Sequence, residues 1–498
     1  MLLAATLASA LSATTPTAAP AQPAYVQTVQ VSQGAIVLDG ALDEPAWQRV
    51  TKLRLTQQDP HPGQPTPYVT TVRVLRDGTH LYFGVICTDP DPASLAVHSL
   101  ERDSEQQHDD HVTIVLDTLG IHHLGYVFQV NAGGARTDGL MSPASSDPNY
   151  DWDGIWDAKV RRTATGWTAE IAIDVRSLQI RKGAEVWGLN LQRYVPREQL
   201  SLLWTGISLD ASIFNLTRTD SLAGVGNFQQ GRGLEVTPYA LVRHDSVGNR
   251  SAGQVGGDVR YNLTPGITAT LTFNPDFAEA EADTDQVNLT RFSLFFPEKR
   301  RFFSEGANIF TFGAGLVDNN TFIPYYSRRI GLVNGETVRV DAGAKILGSD
   351  GPWTIGALGV QMGRSDVGAP TKLYVGRLTY DVDDHLRIGT LLTHGDPTGA
   401  TNNSFTGVDA IWHTSTFRGD KNLILSGWAA HSSDPLPGNH SGWGVFANYP
   451  NDLWSGYFSF NQFGDALDPA LGFLPRPGTR QYDAYIEYAP RPTSDWLR

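Results

Sequence analysis

From about residue 230 to its end, the chain consists of segments of roughly ten residues in which apolar and polar side chains alternate. Such alternation places the two kinds of side chain on opposite faces of a β-strand. Glu235 to Asp245, Leu373 to Asp381 and Trp454 to Phe463 are examples, and aromatic residues lie near many segment ends. The pattern predicts an antiparallel transmembrane-type β-barrel over residues 230–498. A large soluble β-sandwich is the alternative, and a propeller is disfavoured because no fixed repeat occurs.

A barrel in lipid must pair its last strand with its first, because an open edge leaves backbone N–H and C=O groups without partners. The sequence ends at Asp495 to Arg498, which looks like the start of a strand. We therefore expect the barrel to be truncated, and incomplete at its C-terminus.

The part between about residues 30 and 222 contains shorter alternating segments. Tyr68 to Leu75 is followed by the turn pair Asp77-Gly78 and by Leu81 to Cys87, which is the pattern of a β-hairpin. Helical periodicity is nearly absent, and a Ser- and Gly-rich stretch from Ser221 to Gly233 precedes the second part. The pattern predicts an all-β protein, with an N-terminal antiparallel β-sandwich at residues 30–222 followed by the barrel.

The first residues form a short apolar stretch, Leu2 to Ala13, followed by small residues and an Ala-x-Ala site at Ala19 to Ala21. This order is typical of a secretory signal peptide, so we predict that residues 1–22 direct export. The basic residues that usually precede the apolar stretch are missing. A disordered tail rich in Ala, Thr and Pro is the alternative.

Composition excludes several classes of protein. The chain has Lys+Arg 38 and Asp+Glu 52, a net charge of −14, which argues against a nucleic-acid partner. Cys87 is the single cysteine, which excludes a disulfide scaffold and a cysteine-based zinc site. No apolar run reaches the roughly 18 residues that a membrane-spanning helix needs.

Several groups of residues in the first part occur together in one known kind of domain. They are Leu38-Asp39-Gly40, Asp43-Glu44, Trp47, Asp109-Asp110, Leu116-Asp117-Thr118, Tyr126-Val127-Phe128, Asn131, Gly133-Gly134, Asp138, Trp152 to Trp156 and Gly166 to Ile173. In this order they resemble the family 9 carbohydrate-binding module, in its outer-membrane, sugar-binding-like form. The resemblance implies a β-sandwich that binds carbohydrate.

A second group of residues lies at the start of the predicted barrel. These are Phe273 to Phe277, Glu281-Ala282-Asp283, Gln286 to Leu289, Arg291-Phe292, Phe295 to Arg300, Phe302-Phe303, Glu305-Gly306 and Tyr326 to Gly331. They resemble the uncharacterised barrel domain that commonly follows this module in Gram-negative bacteria. That resemblance implies a location in the outer membrane and leaves the activity open.

A carbohydrate site is predicted in the acidic stretch that contains two tryptophans four residues apart. Aromatic rings stack on the apolar face of a sugar, while Asp, Asn, Glu and Arg side chains bind its hydroxyl groups. We predict that Trp152, Asp151 and Tyr150 line this site, with Trp156 as a further candidate. A position in the core is the alternative for both tryptophans, and it is favoured for Trp156, whose surroundings look like a strand.

Calcium is the one cofactor that the sequence suggests. Asp109 and Asp110 precede a predicted strand, with Asp103 and Glu105 nearby. Clustered carboxylates can supply the roughly six to eight oxygens that calcium takes, and modules of the resembled family can carry this ion. A solvated acidic loop is the alternative, as is an Asp110 that caps backbone N–H groups.

The start of the predicted barrel has an unusual concentration of charged residues. The candidate functional positions are Glu298, Lys299, Arg300, Arg301, Glu305, Arg328 and Arg329. One interpretation places them in the lumen, where arginines pair with carboxylates and form a constriction. Another is a periplasmic turn that rests on the sandwich. An ion-pair network that only stiffens the barrel wall is slightly preferred.

Together these features predict a non-catalytic cell-envelope protein of a Gram-negative bacterium. The sandwich is expected to bind a carbohydrate or a peptidoglycan-like ligand, and the barrel to contact outer-membrane lipid and to anchor the sandwich or conduct the ligand. Because an exported N-terminus enters the periplasm first, we expect the sandwich on the periplasmic side.

Two alternatives remain, a glycoside hydrolase with an appended binding module and an outer-membrane channel or transporter. Hydrolysis of a glycoside needs two carboxylates roughly 5–10 Å apart, and nothing in the sequence fixes the separation of Glu298 and Glu305. The sequence contains no G-x-S-x-G, H-E-x-x-H or phosphate-loop motif. Intrinsic activity is therefore not expected, and hydrolysis of O-glycosyl bonds is the activity to test.

Overall fold

The computed structural model describes residues 25–122, 124–141, 147–150, 152–181, 183–228, 233–245, 250–264, 266–275, 295–296, 298–316, 322–333, 336–363, 370–400 and 402–491. These residues form two β-rich regions, which confirms the predicted all-β class. The strands of the first region are, in chain order, β1 (Tyr25–Gln27), β2 (Val29–Gln30), β3 (Leu53–Arg54), β4 (Thr56–Asp59), β5 (Thr70–Arg76), β6 (His80–Thr88), β7 (His111–Asp117), β8 (Gly125–Asn131), β9 (Arg136–Met141), β10 (Trp156–Thr163), β11 (Gly166–Asp174), β12 (Val186–Val195), β13 (Leu200–Leu203) and β14 (Asp220–Ala223).

The first region is a sandwich of two mainly antiparallel sheets. One sheet has the order β1-β14-β12-β7-β8-β9, with β13 paired to β12 and β4 paired to β13. The other has the order β10-β11-β6-β5-β2, with β3 paired to β5. Side chains of both sheets share one apolar core, to which Phe83 and Trp167 contribute from one sheet and Phe128 and Trp187 from the other. We call this region the sandwich.

The second region contains the longer alternating segments. Its elements are β15 (Glu235–Asp245), β16 (Arg250–Thr264), β17 (Ile267–Phe273), α1 (Arg301–Ser304), β18 (Leu332–Val333), β19 (Glu336–Thr337), β20 (Val340–Asp350), β21 (Trp353–Met362), β22 (Thr371–Asp381), β23 (Leu386–His394), β24 (Ser404–Phe417), β25 (Lys421–Ser433), β26 (Ser441–Tyr449), β27 (Trp454–Phe463) and β28 (Arg480–Tyr488).

Most of these strands form one long antiparallel sheet in which each strand pairs with the next along the chain. The order is β15-β16-β17-β20 and then each strand in turn to β28, while β18 and β19 form a separate hairpin. The strands β15 and β28 are the two edges, and the described residues include no pairing between them. We call this sheet the long sheet.

The two faces of the long sheet differ in hydrophobicity. One face, which we call the outer face, carries exposed apolar or aromatic side chains on successive strands from β16 to β28. They are Tyr261, Leu271, Ile346, Trp353, Leu378, Ile388, Val408, Leu425, Val445, Phe458 and Ile486. The opposite, inner face buries polar and charged groups among apolar ones, including Lys345, Arg377, Arg387, Asp409 and Asn461.

Part of the connection between β17 and β20 lies against the inner face. Its phenylalanines pack with aromatic side chains from the strands in one cluster. The cluster contains Phe302, Phe303, Phe310, Phe312, Phe322, Phe405, Trp428 and Phe463. The backbone N–H of Gly313 donates to Asp409 Oδ2 at 3.1 Å, which ties this connection to β24. Among the described residues, no helix is long and apolar enough to cross a membrane.

The connections at the two ends of the long sheet differ in length. At one end they span only residues 265–266, 351–352, 382–385, 418–420 and 450–453. At the other end the connection 246–249 is also short, while the connections 363–370, 395–403, 434–440 and 464–479 are longer. The sandwich contacts the short-turn end, where Asp210 pairs with Lys421 at 2.5 Å and Asp59 pairs with Arg491 at 2.9 Å.

Candidate functional site

Leu38-Asp39-Gly40 and Trp47, the first residues that resemble the family 9 module, surround a buried carboxylate. Glu170, on β11, accepts hydrogen bonds from the backbone N–H of Asp39 at 2.9 Å and of Gly40 at 2.8 Å, and from Trp47 Nε1 at 3.0 Å. Gly40 has φ +83 and closely approaches the backbone of β10, so a side chain at this position would be strained. This part of the signature therefore stabilises the sandwich scaffold.

The two predicted calcium ligands are occupied by protein donors. Asp110 Oδ1 accepts from Trp167 Nε1 at 3.0 Å and from Arg193 Nε at 3.2 Å, and its Oδ2 accepts from Arg193 Nη2 at 3.3 Å. Asp109 accepts from Asn131 Nδ2 at 2.6 Å and from the backbone N–H of His98 at 2.7 Å. Both carboxylates are buried. These oxygens hold the core together, and calcium binding by Asp109 and Asp110 stays a prediction.

The two predicted tryptophans lie in the core of the sandwich. Trp152 is 5% exposed and packs at 5.1 Å, between ring centroids, from Tyr126. Trp156 is 6% exposed and packs at 5.3 Å from Phe128. Neither ring offers an open face on which a sugar could stack, so the interpretation of both as core residues is the one that fits the geometry. Asp151 lies outside the described residues.

A group of charged side chains lies beside Trp152. Arg102 Nη2 donates to Asp138 Oδ1 at 2.7 Å and to Asp153 Oδ1 at 2.9 Å. Tyr150 is 39% exposed, and its ring lies at Gly139, on the face of β9 opposite to Asp138. Arg102 Nε also donates to Asp103 Oδ2 at 3.2 Å. We call Arg102, Asp103, Asp138 and Asp153 the Arg102 cluster.

The Arg102 cluster combines buried and exposed charge. Oxygens of its three carboxylates lie within 4.8 Å of one another, and Arg102 bridges them at the place that a cation would take. Asp138 is buried, and this desolvation raises the pKa of its carboxyl to about 6. Asp153 and Arg102 keep exposed polar atoms that could bind hydroxyl groups. Burial and the charge of Asp147 raise the pKa of Tyr150 to about 12, so its ring keeps a neutral hydroxyl group.

Three members of this cluster were not singled out as ligand residues by the sequence. Arg102 and Asp138 are 36 positions apart and meet only because the loop before β7 folds over β9. Asp138 does stand in the signature motif, and that was the only signal in the sequence that pointed to it.

The charged positions at the start of the second region form internal ion pairs. Arg300 pairs with Glu298 at 2.6 Å and donates to the carbonyl oxygen of Ser327 at 2.8 Å. Glu305 pairs with Arg260 at 2.9 Å and lies 3.6 Å from Lys345. These contacts fit the interpretation of a network that fixes the inner connection to the wall.

The other charged positions of this segment lie nearer its surface. Arg301 pairs with Glu235 at 3.4 Å, and the guanidinium of Arg328 lies 5.7 Å from the ring centre of Phe296. Lys299 is partly buried and Arg329 is exposed. Glu298 and Glu305, the two carboxylates considered for glycoside hydrolysis, are each held by basic groups.

Two family models match parts of the chain. Residues 38–199 match the family described as "Carbohydrate family 9 binding domain-like". Residues 232–348 match "Domain of unknown function (DUF5916)". No curated protein is significantly similar in sequence to this chain.

Solved structures with detectable similarity fall into two groups. A carbohydrate binding module family 9 from Caldicellulosiruptor kristjanssonii, in complex with cellotriose, is 16% identical over 40% of this chain and 92% of its own, with a TM-score of 0.30. OccAB2 of Acinetobacter baumannii is 10% identical over 76% of this chain and 75% of its own, with a TM-score of 0.28. The anion-selective porin of Comamonas acidovorans is 11% identical over 76% and 95%, with a TM-score of 0.26. By its family matches, the chain carries a carbohydrate family 9 binding-like domain at residues 38–199, followed by a match to the DUF5916 family at residues 232–348.

Proposed function

We propose that this protein binds a glycan at the surface of the sandwich and is held in the outer membrane by the long sheet. The observation that carries the proposal is the outer face of the long sheet, which exposes apolar side chains on strand after strand while the inner face buries charged ones. In water such a continuous apolar surface is unfavourable. In a bilayer the same surface contacts the acyl chains, which is the pattern of outer-membrane barrels.

The aromatic side chains of the outer face support this placement. Trp353 packs 4.6 Å from Tyr380, and Trp454 packs 4.5 Å from Tyr488, measured between ring centroids. Both pairs join neighbouring strands beside the short turns. Tryptophan and tyrosine are enriched at the level of the lipid headgroups, where one end of the ring is apolar and the other is wet.

The lengths of the connections support a periplasmic position for the sandwich. Outer-membrane barrels have short turns on the periplasmic side and longer loops outside the cell. The sandwich rests on the end of the long sheet that has the short turns, through the ion pairs of Asp210 with Lys421 and Arg491 with Asp59. A glycan that reaches it there is a periplasmic one, and peptidoglycan strands are the abundant carbohydrate of that compartment.

The sugar would contact the Arg102 cluster at the surface of the sandwich. Arg102 and Asp153 provide a donor and an acceptor for hydroxyl groups. The match of residues 38–199 to a carbohydrate-binding family supports a sugar as the ligand.

The test is calorimetric titration of the full chain in detergent micelles with soluble peptidoglycan fragments and with cello-oligosaccharides. Saturable binding that Asp153→Ala and Arg102→Ala each weaken about tenfold would support the proposal. The matched control is Arg176→Ala, since Arg176 is also a partly exposed arginine paired with an aspartate, Asp174. Binding that both site variants leave unchanged, or no binding by a folded chain, would contradict it.

A further inference from the structure

The sandwich and the long sheet are joined by a dense set of polar contacts at the short-turn end. Asp210 accepts a hydrogen bond from the backbone N–H of Asp452 at 2.8 Å, in addition to its ion pair with Lys421. Asn422 Nδ2 donates to the carbonyl oxygen of Asp210 at 2.6 Å, and Arg218 Nη2 donates to that of Asp420 at 2.7 Å. The two regions are therefore held in one orientation.

These contacts border a partly open cavity of about 240 Å³ between the two regions. The sandwich contributes Ser212, Phe214 and Thr217 to its wall, and the long sheet contributes Thr414, Asn422 and Asn448. Ligand sites occur preferentially where two domains meet, in cavities with mostly apolar walls and a few polar groups. This cavity lies on the inner face of the long sheet. Asn422 is separated from Ser426 and Trp428 by even numbers of positions in β25, so its side chain points to the same face as theirs.

We propose that this junction cavity is a second carbohydrate site, which takes a single sugar ring of the glycan; the proposal rests on the function proposed above. Its composition is that of a sugar site. Phe214 is partly exposed and supplies an aromatic surface. Hydroxyl and amide groups, which donate and accept hydrogen bonds with sugar hydroxyls, stand around it.

Two of these polar groups have unused hydrogen-bonding capacity. The side-chain amide of Asn448 makes no hydrogen bond to any described residue, although it stands on the wall of the cavity. The hydroxyl of Ser212 accepts from the backbone N–H of Phe214 at 3.2 Å and keeps its own donor. Each of these groups can therefore form a hydrogen bond with a sugar hydroxyl. Asp210, Asn215 and Asn422 already hold the interface, so they shape the cavity and are not proposed as ligand contacts.

The site has a consequence for how the two regions work together. A sugar bound there contacts both the sandwich and the long sheet. Its binding free energy therefore stabilises the association of the two regions. A glycan chain that occupies the surface site with one residue and the cavity with another would bind more tightly than either site alone.

The experiment is titration of the full chain in micelles with β-1,4-linked oligomers of glucose and of N-acetylglucosamine, from one to four sugar residues. The wild type is expected to bind two short oligomers per chain. Phe214→Ala and Asn448→Leu each weaken the binding of one of these at least about tenfold, while Arg102→Ala weakens the binding of the other about tenfold. Phe458→Ala, at an exposed phenylalanine of the outer face, is the control and keeps both.

The outcomes separate this inference from the function on which it rests. One bound oligomer that is lost in Arg102→Ala and kept in Phe214→Ala overturns the junction site and leaves the proposed function standing. One bound oligomer with the reverse dependence supports the junction site and overturns the surface site. No binding of any oligomer by the folded wild type overturns both.

A second measurement tests the junction site even if Phe214→Ala or Asn448→Leu does not fold. The chain has a single cysteine, Cys87, which is buried, so Ile424→Cys introduces a reactive thiol into the cavity wall at a position that is not proposed as a ligand contact. Saturating oligomer is expected to slow its alkylation by a maleimide at least about tenfold. An alkylation rate that the oligomer leaves unchanged would overturn the junction site.

Discussion

The sandwich and the long sheet are built from the same alternating strands, but they direct opposite kinds of side chain outward. In the sandwich, Phe83 and Trp167 point into the core and charged groups such as Arg102 remain at the surface. In the long sheet, Val408 and Ile486 point outward and Arg377 and Asp409 point inward. Alternation alone therefore predicts a strand. It does not determine whether the apolar face of that strand packs in a protein core or is exposed at the surface of a sheet.

Both regions also bury complete ion pairs, and they do so at different places. Arg193 pairs with Asp110 between the two sheets of the sandwich, with the guanidinium fully buried. Arg377 pairs with Asp409 at 2.5 Å on the inner face of the long sheet, beneath the ring of Phe312. In each case the charges are satisfied within the protein, because neither the core of the sandwich nor the covered inner face of the long sheet offers enough water to solvate them.

We expect the largest loss of stability when the buried ion pair of the sandwich is broken. Arg193→Leu leaves the carboxylate of Asp110 buried without its cation, and we expect the free energy of unfolding of the sandwich to fall by about 3–5 kcal/mol. Urea unfolding in micelles, followed by tryptophan fluorescence, measures it. Arg176→Leu is the control, because Arg176 is half-exposed and its pair with Asp174 should contribute less than about 1 kcal/mol. Similar losses in both variants would contradict this account of the buried pair.

The next effect tests the long sheet. Val408→Arg places a charge in the middle of the outer face, and we expect it to destabilise the sheet in lipid vesicles by about 2–4 kcal/mol. Val37→Arg is the control, since Val37 is 65% exposed on the sandwich and Val408 is 52% exposed on the long sheet. The control should change stability by less than about 0.5 kcal/mol, as is usual for a surface position in water. Equal behaviour of the two arginine variants would mean that both valines face water.

A smaller effect concerns pH and the Arg102 cluster. Burial raises the pKa of Asp138 from 3.8 to about 6, so the folded sandwich binds this proton more tightly than the unfolded chain does. Its contribution to stability is complete below about pH 4 and is lost as the pH rises through 6, a change of about 2 kcal/mol. Unfolding free energies from pH 4 to 7 should show this decline in the wild type and a weaker one in Asp138→Asn. A decline of the same size in the variant would show that another group causes it.

Much of the fold could be predicted because strand alternation is a local signal. The segment Glu235 to Asp245 coincides with β15, and Trp454 to Phe463 coincides with β27. The hairpin predicted at Asp77-Gly78 joins β5 to β6. Turn residues and alternating side chains fix these elements within a few positions of the chain, so no tertiary information is needed.

The candidate site was less predictable because it depends on which face of a strand turns inward. The sequence predicted that Trp152 could stack on a sugar. In the structure its ring packs against Phe128 in the core of the sandwich. Arg102 carried no signal of its own, since its partners Asp138 and Asp153 are distant in sequence. The inward position of Phe302 and Phe312 was also hidden, because an apolar segment between two strands does not reveal which face of the sheet it covers.

Single-cysteine labelling can show whether the outer face of the long sheet contacts lipid. Cys87 is buried, so Val408→Cys and Val37→Cys can each carry an environment-sensitive fluorophore in the full chain folded into vesicles. We predict that the label at position 408 is quenched by a nitroxide on the lipid acyl chain and protected from iodide in the water, while the label at position 37 behaves in the opposite way. Quenching of the label at 408 by iodide, with no effect of the lipid nitroxide, would contradict the account.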